Sequence, residues 1–371
     1  MTKRIAESIS LQAMTLLSRL LLAPKGGGDS SSAMRAELIR DVCSVSRDEF
    51  DNLAALANSN HVIVRGMVVF CDLAREVNDD VRVEWAETAL AAERARITRA
   101  VNVLQDICTA FDDKEYDVTV IKSLDHWPDL GSDLDLYTSV ASEDVTLFMR
   151  RRFDAQIAPR SWGDRLAGKW NFLIAGLPEA VEIHMGRLGQ TGEQAGIASR
   201  LAERSRKVVV GGVAFRVPSA SDRLMISTLQ RMYRHFYFRL CDVVDTVALA
   251  ANGGIDYLDL RSSAMDAGIW EGVATYLAIV SDYARRHSGS GLVLPQFVMA
   301  AARFGGDEVY YGREFLRVPI MPQSANLYGT QLAGVLQRRE LRNGIRLSLL
   351  PWLATAALVG QRITGSDKGI W

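Results

Sequence analysis

The chain has 371 residues, 48% hydrophobic and 23% charged, the proportions of an ordinary globular protein with room for two or three domains of ~100–200 residues. Its 43 basic and 44 acidic residues leave a formal charge of −1, which excludes a global electrostatic pull toward nucleic acid or membrane and leaves such binding to local charge. The four cysteines, Cys43, Cys71, Cys108 and Cys241, are widely spaced with no CxxC pair, so spacing signals neither a zinc site nor a disulfide framework.

In chain order, "SLQAMTLLSRLLLAP" predicts an opening helix ended by Pro24, and "KGGGDSSSA" (25–33) a flexible loop. Lys3 and Arg4 open the chain, but Glu7 and Arg19 interrupt the apolar residues behind them, unlike a signal peptide. From "MRAELIRDVCSV" to "AETALAAERARITRAVNVLQDICTAF" apolar residues recur at three- and four-residue spacing, Leu104, Ile107, Cys108 and Phe111 among them. Residues 1–112 are therefore expected to form an N-terminal helical domain.

The period then changes. "YDVTVIKS" and "LDLYTS" alternate and predict strands, "SEDVTLFMRRRF" a helix, and "AQIAPR", "NFLIAG" and "AVEIHMG" further short strands. "KVVVGGVAFRVP" predicts a hairpin turning at Gly-Gly. From "SASDRLMISTLQRMYRHFYFRLCDVVDTVALAA" helical periodicity is expected to hold to the C-terminus. The apolar stretch "LSLLPWLATAALVG" (347–360) is shorter than the ~20 residues of a spanning helix and contains Pro351, so it reads as a core helix and no membrane span is expected. The expected layout is α+β: helical domain 1–112, a small α/β core at 113–217 and a C-terminal helical domain at 218–371.

Chemistry concentrates in "IKSLDHWPDLGSDLDLYTSV" (121–140). Residues i and i+2 of a strand share a face, so Asp133 and Asp135 stand about 7 Å apart on one side while Leu134 and Leu136 enter the core. Paired carboxylates raise each other's pKa unless a cation lies between them. Mg²⁺, which takes one or two carboxylates plus substrate phosphates, meets that need, and two such ions would suit phosphoryl or nucleotidyl transfer. Glu182, between Val181 and Ile183 in a predicted strand, is the expected third ligand. His184 shares its face and is placed to orient a ligand or touch substrate. Lys122 and Ser123, where a strand meets a turn, are candidates for nucleotide phosphates. Gly131 and Ser132 permit close backbone approach, and Asp125 and Asp129 read as turn caps.

These residues resemble the nucleotidyltransferase-fold superfamily. Its members carry a strand ending in Gly-Ser or Gly-Gly, then about ten residues, then Asp-h-Asp or Asp-h-Glu, and a third acidic residue on a later strand. Ser123, Asp133-Leu134-Asp135 and Glu182 follow that order. "IKS" and "EIH" look like the uncharacterised nucleotidyltransferase-like branch associated with polysaccharide and natural-product biosynthesis, where Lys-Gly follows the first strand and His stands two after the third acid. The resemblance spans roughly residues 84–280. Ser123 stands in place of the family glycine, and Pro128 shortens the link to Asp133.

The resemblance implies a polymerase beta-like mixed-sheet core between helical domains. It also implies a Mg²⁺-dependent enzyme using an NTP, ATP first among them, while the four dispersed cysteines read as reduced thiols of a cytoplasmic protein. Asp133, Asp135 and Glu182 would be catalytic metal ligands for two ions, and Lys122, Ser123, Gly131, Ser132 and Lys169 would contact nucleotide. Independently of the resemblance, the aromatic-rich run "YRHFYFRLCDVVD" offers Tyr233, His235, Arg239 and Asp242 as the far wall of the cleft, where an acceptor would sit beside His184. The acceptor would be a hydroxyl of a small molecule, sugar or peptide; the alternatives are a tRNA 3′ end or a non-catalytic scaffold. The basic residues Arg150–Arg152, Arg160 and Arg165 read as a solvated face or a triphosphate contact, Trp162 and Trp170 as core, lid or stacking groups, and Asp245 as a partner for an arginine.

Overall fold

The computed structural model describes residues 2–23, 29–189, 191–251, 253–312 and 314–352. Five helices lead: α1 (Thr2–Leu22), α2 (Asp29–Ser44), α3 (Arg47–Ser59), α4 (Ile63–Glu76) and α5 (Asp80–Asp112). Helix α3 starts at a capping box in which Ser46 and Glu49 satisfy each other's backbone N–H, and Asp79 caps α5 through the N–H of Arg82. One correction falls here: Asp29–Ala33, expected in a loop, open α2, while 25–28 lie outside the described residues. Asp and Ser favour helix starts as much as turns, so their composition alone does not separate the two.

The mixed sheet follows, from β1 (Thr119–Val120), β2 (Asp133–Thr138), β3 (Gln156–Ile157), β4 (Lys169–Leu173) and β5 (Ala180–Met185), with α6 (Ser142–Phe153) and α7 (Trp162–Ala167) between them. The order is β1-β2-β5-β4-β3; β2 and β5 are parallel and the other pairs antiparallel. Leu134, Leu136, Val181, Ile183 and Phe172 are fully buried and share one hydrophobic cluster with Ile107 and Phe111 of α5 and Val145 and Met149 of α6.

After α8 (Ala195–Arg200), β6 (Arg206–Val210) and β7 (Val213–Val217) form a hairpin of their own. Gly211 and Gly212 turn it with φ of 58° and 85°, the left-handed pair that a two-residue hairpin loop requires.

The C-terminal part is not continuously helical, a second correction. Helix α9 (Ala220–Gln230) passes into a π turn (Arg231–His235), Phe236 adopts φ 54°, and β8 (Tyr237–Phe238) precedes α10 (Leu240–Ala251). The expected long helix from Met232 is therefore broken. After α11 (Tyr257–Asp266), α12 (Trp270–Ser288) and α13 (Gln296–Ala301), strands β9 (Tyr310–Gly312) and β10 (Phe315–Arg317) pair in the order β8-β10-β9. Tyr237 stacks on Phe315 at 4.5 Å between ring centroids, and Val318 N–H donates to Phe236 O at 2.9 Å. These long-range contacts override local helical preference at a run of β-favouring aromatics.

Helices α14 (Ala325–Gln337) and α15 (Leu341–Ser348) follow; of the expected core helix at 347–360, residues 353–360 lie outside the described residues. Among the described residues no helix is long and apolar enough to cross a membrane. The protein is α+β, with a small mixed sheet among helices.

Candidate functional site

The register of β2, β5 and β4 brings the charged residues together. Asp135 pairs with Glu182 across the parallel ladder, and Lys169 lies opposite His184 on the antiparallel one. Side chains opposite one another share a face, so Asp133, Asp135, Glu182, His184 and Lys169 project from the side away from Leu134 and Leu136. Ligand atoms of Asp135, Glu182 and His184 lie within 4.8 Å of one another; Asp133 is outside that set but lines the same cleft.

Two lysines meet the carboxylates. Lys122 Nζ pairs with Asp135 Oδ1 and lies 3.5 Å from Glu182 Oε1. Lys169 Nζ lies 2.8 Å from Glu182 Oε2 and 3.1 Å from Asp164 Oδ1. His184 Nε2 completes the group at 2.9 Å from Glu182 Oε1. Burial, opposed by Lys122 and reinforced by Glu182, pushes the Asp135 carboxyl up to about 8. Burial and Glu182 also raise Asp133. Burial acts on Glu182 in the same sense, yet Lys122, the His184 bond and Lys169 hold it well below the usual carboxylate range.

The turn before the site is built on Lys122, whose φ of 61° and ψ of −57° close a γ-turn in which Ser123 N–H donates to Ile121 O at 2.6 Å. The left-handed residue is thus Lys122, and Ser123 follows it into a 3₁₀ turn (Ser123–His126). Ser123 Oγ accepts from Asp135 N–H at 2.7 Å and donates to Asp133 O at 3.2 Å. Its hydroxyl thus holds β2 in place, and Ser123 also lines the cleft. On the other side of the aspartates, Arg96 of α5 donates to Leu130 O at 3.0 Å and Gly131 O at 3.3 Å, which sets the path of Gly131 and Ser132.

The facing wall comes from the π turn and β8. Arg231, Arg234, His235, Tyr237 and Arg239 line the cleft opposite the carboxylates, in a cavity of about 200 Å³. A neighbouring cavity of about 460 Å³ shares His61, Gly131, Ser132 and Arg239. Arg231 is committed to Asp242, with Nε 2.8 Å from Oδ2, whereas Nε of Arg234 and Nε of Arg239 are buried without a hydrogen-bond partner. Tyr233 is not on this wall: its hydroxyl packs against Gly272 of α12, where an added Cβ would come within 2.3 Å.

Several residues have roles that sequence reading missed. Asp129 caps no local turn: it accepts from Val64 N–H at 2.5 Å and Arg65 N–H at 3.3 Å, closing the N-terminus of α4 from another segment. Asp125 pairs with Arg223, while Asp245 meets an arginine as expected, Arg65, and in addition contacts His126. Arg150–Arg152 are exposed, Trp162 is exposed, and Trp170 stacks under the Arg160 guanidinium at 3.9 Å. Arg231 and Arg234 sit in the basic-aromatic run "QRMYRHFYFR", the one local signal that could have pointed to them.

Burial holds His184 neutral down to about 4 and keeps His235 well below its ordinary value. Imidazole NMR is accordingly expected to show neither ring protonating between pH 7 and pH 5; a midpoint near 6.5 for either would mean that the cleft is wetter than its geometry implies.

No family model and no curated protein matches the chain. Among solved structures, an antigenic nucleotidyltransferase-like protein from Paracoccidioides brasiliensis is similar at 13% identity and TM-score 0.30, over 44% of this chain and 85% of that one. A likeness of that size leaves the functional reading to the site itself.

Proposed function

We propose that the protein is a nucleotidyltransferase, moving a nucleoside monophosphate from an NTP to a hydroxyl of a small acceptor. The observation that carries this reading is the convergence of Asp133, Asp135 and Glu182 from the parallel strands β2 and β5 across a cleft from Arg234 and Arg239. Carboxylates on one wall and partnerless guanidinium nitrogens on the other suit a cation and a polyphosphate together.

The donor set fits Mg²⁺. Asp133 and Asp135 offer hard oxygens, burial and the neighbouring carboxylates raise both carboxyls, and the Lys122 ammonium already stands as a cation between Asp135 and Glu182. Asp133 and Asp135 would hold one ion. A second would have to take the place of Lys122. When bound, the metal supplies Lewis-acid polarisation of the phosphoryl oxygen.

In this reading Arg234 and Arg239 bind the β- and γ-phosphates, and Lys169 keeps Glu182 ionised. Glu182 orients the acceptor hydroxyl and takes up its proton as the oxygen bonds to the α-phosphorus and the bond to the pyrophosphate oxygen breaks, the pyrophosphate leaving. The second cavity, sharing Gly131 and Ser132, offers room for the nucleoside or a small acceptor. Lys122 also favours a second reading, a non-catalytic scaffold whose carboxylates are neutralised internally.

Calorimetric titration of ATP, GTP, CTP and UTP, with and without Mg²⁺, separates the two. One nucleotide is expected to bind in a Mg²⁺-dependent way and to lose at least ~100-fold in affinity, about 2.7 kcal/mol, in Asp133→Asn/Asp135→Asn. Silence from all four with folded wild type would leave the scaffold.

A further inference from the structure

A second cluster of metal-ligating side chains lies beside the cleft and plays no part in the chemistry above. His61 in the link from α3 to α4, His126 at the end of the 3₁₀ turn and Cys241 in α10 place one ligand atom each within 4.8 Å of the others. We infer that His61, His126 and Cys241 form a zinc site, with a fourth coordination position open toward the cleft that both histidines line.

The geometry is close to that of a loaded site. Ligand bonds of ~2.0–2.3 Å in a tetrahedral arrangement put donor atoms about 3.5 Å apart. Cys241 Sγ and His126 Nε2 are already 3.8 Å apart. His126 Nδ1 lies 2.5 Å from Asp245 Oδ2, the carboxylate–imidazole contact that fixes the orientation and tautomer of a metal-bound histidine. Asp245 is itself held by Arg65 Nη1 at 2.5 Å.

His61 distinguishes a metal site from a hydrogen-bonded relay. A thiol–imidazole–carboxylate chain accounts for Cys241, His126 and Asp245 but leaves His61 Nδ1 buried with no partner. That ring lies 5.7 Å from His126 between centroids, over Gly131, where an added Cβ would already touch it at 3.4 Å. A metal ion gives the orphaned nitrogen a partner. Two imidazoles and a thiolate select zinc over magnesium, whereas the carboxylate pair Asp133 and Asp135 next door selects the reverse. Spacing could not have revealed the set, because His126 and Cys241 are 115 residues apart.

The full-length protein, purified without chelator and dialysed, is expected to carry about one zinc per chain by elemental analysis. Replacing zinc with cobalt is expected to produce thiolate-to-cobalt charge transfer together with intense tetrahedral absorption. Both should persist in Asp133→Asn/Asp135→Asn and vanish in Cys241→Ser. His61→Ala, at a half-buried position, is expected to weaken cobalt binding by ~10-fold or more. Its unchanged affinity would overturn the assignment even if Cys241→Ser failed to fold. Folded wild type that takes up no zinc and shows no cobalt–thiolate band would overturn it outright, as would a band surviving in Cys241→Ser.

Discussion

Arg65→Met is expected to lower the free energy of unfolding by about 3–5 kcal/mol, measured by urea titration of the circular dichroism signal. Arg65 Nε lies 2.7 Å from Asp129 Oδ2, and Nη1 lies 2.5 Å from Asp245 Oδ1. Asp129 is 1% exposed and Asp245 10%, so removing the guanidinium leaves two carboxylates with little water. The pairing also joins three segments, α4, the turn before β2, and α10. Lysine at this position is expected to recover only part of the loss, because one ammonium cannot reproduce the two-sided geometry of the guanidinium. A change below ~1 kcal/mol for Arg65→Met would show that the two aspartates find other partners or water.

Lys122→Met is expected to tighten Mn²⁺ binding by ~10-fold or more while lowering the stability of the metal-free protein by about 2–3 kcal/mol. Both effects have one origin: the ammonium occupies the position between Asp135 and Glu182 that a metal would share, and it neutralises them when no metal is bound. Calorimetry with Mn²⁺ reads the first effect and urea unfolding the second. Weaker Mn²⁺ binding in the variant would mean that Lys122 helps to build the cation site rather than competing for it. The backbone supplies an internal control. At φ 61° a side chain is strained, so Lys122→Gly should be more stable than Lys122→Ala by about 1–2 kcal/mol, although both lose the same charge.

The carboxylate strand was legible because its signal is local. Alternation between Asp133, Leu134, Asp135 and Leu136 sorts the residues onto two faces whatever the partner strand, and Glu182 between Val181 and Ile183 reads the same way. The Gly211-Gly212 turn is local in the same sense. The break after Gln230 was hidden, because the apolar spacing of "MYRHFYFRLCDVV" suits a helix. Pairing with β10, about 80 residues downstream, overrides that spacing.

By itself the sequence determined which faces of the strands are acidic and which are apolar, that the described part of residues 1–112 is helical, and that the net charge is close to zero. Folding alone decided which cations meet those acids: Lys122 on Asp135, Lys169 on Glu182, and Arg65 between Asp129 and Asp245. It also set Arg234 and Arg239 on the opposite wall and brought His61 to His126 and Cys241. The physical reason is range. Strand and helix periodicity is set by backbone geometry over a few residues, whereas Arg65 and Asp245, 180 residues apart, become neighbours only when the core brings their segments together.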